Sequence, residues 1–181
     1  MKKKLLTIAA LICCTMATTV FTACGDDDEG GAPVDDQKPV AVVMAYSFST
    51  TADMLNVFDL TVEYYDATGA VQSEKMTTTQ WTKAVTPKLP ATVGARLLAK
   101  VKDGVDVANM ESVTVAYQYE FSGKAVSANG QLAGSAVGGG TGISLAMAGN
   151  KVAEYLTKHQ AGLVKYLYKY SSDGNAESGS W

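Results

Sequence analysis

The chain is short of thiol, imidazole and net positive charge. Its three cysteines all fall within the first 24 residues, so the body from Gln37 onward holds none. No disulfide can brace that body and no cysteine can act there as a nucleophile. Packed side chains must therefore hold the fold by themselves. His159 is the single histidine. A serine nucleophile would need it as base, and the Gly-x-Ser-x-Gly turn that presents such a serine is missing. Zinc needs more nitrogen or sulfur ligands than one histidine provides. Of 18 acidic residues six precede Gln37, and the remaining twelve equal the twelve basic residues that follow it. A neutral body lacks the basic excess of a nucleic-acid binder, so no nucleic-acid partner is expected. Long apolar runs are missing too. The best, residues 5–12 with Thr7 inside it, is far shorter than the ~20 residues of a spanning helix.

What is present begins at the N-terminus. Lys2, Lys3 and Lys4 precede the apolar run, and small or apolar residues continue to Ala23, the layout of a secretory signal. Phe21-Thr22-Ala23-Cys24 resembles the bacterial lipobox, with Phe21 where leucine is commoner. Cys13 and Cys14 have no small residue before them. The resemblance implies a diacylglycerol on the Cys24 sulfur, cleavage before it and acylation of the new amine. Two or more acyl chains anchor a protein stably where one does not. Asp26, Asp27, Asp28 and Glu29 follow, then Gly30, Gly31, Pro33, Asp35 and Asp36. Like charges with glycine and proline bury too little apolar area to fold, so this stretch reads as a solvated tether. The alternating ligands and closing glutamate of a calcium loop are not there. The acidic run resembles the export signal of Bacteroidota surface lipoproteins, which implies the outer face of the outer membrane. The expected layout is a signal peptide at 1–23, a tether at 24–38 and one domain at 39–181.

The body alternates at period two. Val40, Val42, Met44, Tyr46 and Phe48 share a face, with small residues opposite, as in a strand covered on both sides. Residues 54–66 read as a second strand, with Phe58, Leu60, Val62 and Tyr64 inward. A turn at Asp66 to Gly69 leads into a weaker strand over 70–76. Trp81 falls in a threonine-rich loop, and Pro87 and Pro90 keep their segment out of any central strand. Val93, Ala95, Leu97, Ala99 and Val101 line a further strand, and Asp103-Gly104 signals a turn. Residues 111–121 follow, with Val113, Val115, Tyr117, Tyr119 and Phe121 inward. Residues 122–142, rich in Gly, Ala and Ser, read as a mobile connection or a weak edge hairpin turning at Asn129-Gly130. Val152, Tyr155, Leu156 and His159 show helical spacing over 150–162, with Asn150 as N-cap and Gly162 as stop. Val164, Tyr166, Tyr168 and Tyr170 share the face of a last strand, and 171–180 is a polar tail. Strands without alternating helices predict an all-β or β-rich fold, an antiparallel immunoglobulin-like β-sandwich with one short helix near the C-terminus. The alternative is an open α+β sheet with the helix on one face.

Catalytic chemistry finds little support. His159 lies on the apolar side of its helix, where a hydrogen-bonded structural role is expected. Asp59 and Glu63 share a strand face ~13 Å apart, too far for either glycosidase geometry. Gly138-Gly139-Gly140-Thr141-Gly142 lacks the lysine of a phosphate loop and reads as flexible linker. No catalytic residue, metal or cofactor is assigned. Trp81 and Tyr65 are the candidate ligand contacts, since a flat aromatic on a β surface stacks on sugars or fills a partner's pocket. The plainer expectation for Trp81 is that it plugs the end of the sandwich. Three functions remain: a membrane-tethered module binding a protein partner or supporting a cell-envelope complex, a glycan-binding lipoprotein of nutrient uptake, and, last, a hydrolase.

Overall fold

Period-two alternation is realised as two antiparallel sheets packed face to face. The computed structural model describes residues 37–181, so Cys24, Asp26, Asp27, Asp28 and Glu29 lie outside the described residues. In chain order the strands are β1 (Pro39–Thr50), β2 (Phe58–Tyr65), β3 (Val71–Lys75), β4 (Gln80–Val85), β5 (Ala91–Val101), β6 (Val113–Ser127), β7 (Leu132–Met147), β8 (Val164–Tyr170) and β9 (Ala176–Ser178). Two short helices interrupt them, α1 (Ala52–Val57) and α2 (Val152–Lys158). The first sheet has the order β4-β1-β6-β7 and the second β3-β2-β5-β8-β9. The expected β-sandwich is therefore what forms, and the open sheet with a helix on one face is not.

Inward faces follow the alternation. Val42, Met44, Tyr46 and Phe48 of β1 meet Phe58, Leu60, Val62 and Tyr64 of β2 and Val93, Ala95 and Leu97 of β5. Each such side chain contributes about 1.5–3 kcal/mol when fully buried, which carries a fold without cross-links. The opposite face of β1 is only half-buried, so that strand is not covered on both sides as the pattern suggested. Turn chemistry is local and strong at the β2–β3 hairpin. Asp66 Oδ1 accepts from the Thr68 hydroxyl (2.7 Å) and the Thr68 and Ala70 amides, and Gly69 takes φ +81°.

Several elements differ from their sequence reading. Residues 54–66 do not form one strand, because their first part is α1. Thr51 caps it by accepting from the Met54 amide at 3.1 Å, and Met54 is fully buried. Trp81 lies in β4 instead of a loop. Of the two readings of residues 122–142 the edge hairpin is the one that forms and the mobile connection is not: β6 runs on to Ser127, the chain turns at Asn129-Gly130, and β7 returns as a long edge strand. The glycine run is strand, not linker. A Cβ on Gly140 would lie 2.6 Å from the Tyr119 carbonyl oxygen, and one on Gly142 2.5 Å from that of Tyr117. Glycine here permits close approach of two backbones.

The late helix is shorter than expected and starts later. Asn150 sits in a 3-10 turn, Gly149–Lys151, whose Gly149 amide donates to the Met110 carbonyl at 3.1 Å. Any side chain on Gly149 would overlap the Val107 carbonyl, so this turn is pinned and α2 begins only at Val152. It ends at His159, before Gly162. The polar tail contains β9, and Trp181 beyond it donates from Nε1 to the Tyr166 carbonyl at 2.8 Å.

Candidate functional site: two flanks of the sandwich

Both aromatic candidates are occupied by the fold. The Trp81 ring packs between Phe48 (centroids 5.9 Å) and Tyr64 (5.4 Å). Its Nε1 donates to Glu74 Oε2 at 2.9 Å. Glu74 also accepts from the Tyr64 hydroxyl and from Lys83 Nζ, both at 2.6 Å. One carboxylate on β3 thus gathers donors from β2 and β4 and ties the edge of one sheet to the edge of the other. The Lys83 hydrogen bond, helped by those of Tyr64 and Trp81, pulls the Glu74 carboxyl down to about 2. Glu74 in turn raises the Lys83 ammonium above the ordinary lysine range. Burial, reinforced by Glu74, pushes the Tyr64 phenol up. A charged acceptor with three donors makes bonds stronger than neutral ones, though the Lys83–Glu74 pair is over a third exposed, which weakens its share.

Tyr65 lies on the outer face of the second sheet under Trp181, with ring centroids 5.1 Å apart. Arg96 stacks over the other ring at 4.8 Å and pairs with Glu63 at 2.6 Å. Glu63 is thereby held in an ion pair, and Asp59 sits four residues away on the same strand face, opposite Lys100. His159 is half-buried, stacks on Tyr155 at 4.2 Å and its Nδ1 bonds the Tyr155 carbonyl at 2.8 Å, the structural role expected of it.

The other flank is built differently. Pairing of β7 with the inward residues of β6 puts Gly139, Thr141, Ile143, Leu145 and Met147 on the inner face of the first sheet. The strand at the margin of the other sheet, β9, is only three residues long and meets β7 at Ser135, not at these residues. Ile143 and Leu145 are left 38% and 43% exposed. Contact between the sheets at this margin is made near the start of β7, where the Ser135 amide donates to the Gly174 carbonyl (2.8 Å) and its hydroxyl accepts from the Ala176 amide (3.1 Å).

Alongside runs an aromatic ladder. Tyr119 and Phe121 lie within 5° of parallel, and Tyr166 stacks on Phe121 at 4.1 Å. Burial drives the Tyr166 phenol far above the usual tyrosine range, and its hydroxyl finds no hydrogen-bond partner among the described residues. Tyr119, Glu120, Phe121 and Gly138, Gly139 and Gly140 border an open depression of about 490 Å³. Its breadth comes from the glycines: a Cβ on Gly139 would press on the Phe121 ring at 3.2 Å.

Sequence reasoning did not find the Glu74 cluster or the β7 flank. For β7 a signal was there, since Val137, Thr141, Ile143, Leu145 and Met147 alternate with small residues. Among the described residues no group of three His, Cys, Asp or Glu side chains is placed to share a metal ion, and no helix is long and apolar enough to cross a membrane. No family model matches this chain, and neither a curated protein nor a solved structure matches it.

Proposed function

We propose that this protein is a lipid-anchored envelope module that acts by binding a partner. Cys24 holds it in the outer membrane, and Asp26, Asp27, Asp28 and Glu29 direct it to the cell surface. The lipobox-like residues support the anchor. The observation that carries the binding role is the flank at β7, where Ile143 and Leu145 remain exposed on a face that is core elsewhere. Apolar side chains grouped beside an open sheet margin are characteristic of interaction surfaces. Cys24→Ala should shift the protein from the membrane to the soluble fraction; unchanged fractionation would sink the anchor. Deleting Asp26 to Glu29 should leave the protein acylated but protected when whole cells are shaved with protease.

A second reading, glycan binding in nutrient capture, draws support from Tyr119. Its ring is half-buried, parallel to Phe121, and borders the depression. Rings so arranged can stack on sugars. A glycan array probed with the protein and with Tyr119→Ala decides it, because loss of a specific signal in the variant is required. Trp81→Ala is unsuitable as the probe, since it breaks the Glu74 cluster.

A further inference from the structure

Four strands end the two sheets, and three of them are guarded. β3 is five residues long and carries Glu74 and Lys75; β4 is six long and carries Lys83; β9 is three long and carries Glu177. Short length and charge are the usual means of keeping sheet edges from pairing with other chains. β7 has neither. It is 16 residues long, with no charged residue and no proline. Among the described residues no strand pairs with its outer side, and the one backbone hydrogen bond made there outside its ladder is that of Ser135 to Gly174.

We propose that β7 pairs with β7 of a second copy of this chain, joining the two four-stranded sheets into one antiparallel sheet across a two-fold axis near Ile143. This names a partner for the surface module proposed above and rests on that reading for where the pairing occurs. Three observations select a second copy. A strand without charge meets its own image in antiparallel pairing with no like-charge contact in any register, whereas the charged β3 and β4 do so only in some. A two-fold axis at Ile143 sets Ile143 against Ile143 and Leu145 against Thr141, so each exposed Ile143 is covered by its own counterpart and Leu145 gains Thr141 as its cross-strand neighbour. Such self-complementarity is what an isologous interface requires. The bond from Ser135 to Gly174 closes the beginning of β7, and the edge beyond it includes residues 139–147, ~30 Å long and centred on Ile143, with no backbone partner on its outer side among the described residues.

The test uses the full chain in its own membrane. Ile143→Cys should give a disulfide-linked species at twice the chain mass, absent from the unsubstituted protein and lost on reduction. Val71→Cys, on the guarded β3 edge, should give none. Adding Leu145→Lys to Ile143→Cys should lower the linked species at least about tenfold, as an inward charge on an edge does. An unchanged thermal midpoint shows that this variant is folded; should it not fold, Thr141→Lys serves instead. No linked species from folded Ile143→Cys, links to other proteins only, or equal linking from Val71→Cys overturns the proposal. Its failure is separable from that of the anchor: release by Cys24→Ala without linking at Ile143→Cys leaves the anchor standing, and linking without release leaves the pairing.

Discussion

One flank of the sandwich is clasped and the other is open. At the β3–β4 side, Glu74 collects hydrogen bonds from Tyr64, Trp81 and Lys83, and the Trp81 ring fills the space between the sheets. At the β7 side the sheets meet through Ser135 near one end, and beyond it inward-facing residues stand exposed. The two margins solve the same problem, how to end a sheet, with opposite chemistry. Charge satisfied inside a cluster closes a margin and keeps it from other chains. Uncharged backbone bordered by apolar side chains keeps a margin available.

The comparison breaks most visibly at Phe48, which touches Trp81 on the clasped side and Tyr119 and Tyr166 on the way to the open one. Phe48→Ala should cost about 3–5 kcal/mol in urea unfolding. A loss below about 1 kcal/mol would mean that the aromatic row does not bind the two halves together. Gly142→Val comes next. Valine favours strands, yet its Cβ would crowd the Tyr117 carbonyl, so a loss of about 1–3 kcal/mol is expected. Stabilisation would show that the glycine run is not held close to β6.

Glu74→Ala strands the Trp81 N–H, the Tyr64 hydroxyl and the Lys83 ammonium, and should lower stability by about 1–3 kcal/mol. Its pH dependence has a definite sign. The folded carboxyl titrates near 2, below its ordinary value of 4.5, so ionised Glu74 stabilises the fold above 4.5. That contribution fades as pH falls from 4.5 toward 2. The stability gap between the protein and Glu74→Gln should therefore shrink over that interval, and a gap independent of pH would remove the clasp from the account. Smallest of all, Leu145→Ala on the open flank should change the stability of the isolated chain by no more than about 0.5 kcal/mol. A core-sized loss there would show that this margin is closed.

Strands whose two faces differ were legible in the sequence. Phe58, Leu60, Val62 and Tyr64 alternate with polar residues because one face of β2 meets the core, and the tyrosines of β8 alternate with Lys165, the buried Leu167 and Lys169. α1 was hidden because Leu55 and Val57 mimic alternation, while the Thr51 cap that starts the helix is a single side-chain hydrogen bond. β7 was legible only as one of two readings, a weak edge hairpin, for the opposite reason: glycine disfavours strands by propensity, and the need for it arises from the carbonyls of a partner strand. The Glu74 cluster could not be read at all, since it depends on edges of separate sheets meeting in space. Trp81, expected in a loop plugging the end of the sandwich, packs instead on Phe48 and Tyr64 from edge strand β4.

β1 is the first strand of the domain and also an inner one, bonded to β4 on one side and β6 on the other. Tyr46 must therefore wait for Lys83 and then for Phe121 before its place in the ladder exists. Strand pairings so distant along the chain place folding in roughly the millisecond-to-second range, whereas the β6–β7 hairpin can close within microseconds. A newly made chain would thus carry β6 and β7 already joined while β1 is still searching. The strand that ends the sheet is ready before the strand that organises it, and in that interval β6 as well as β7 offers an unpaired side to its neighbours.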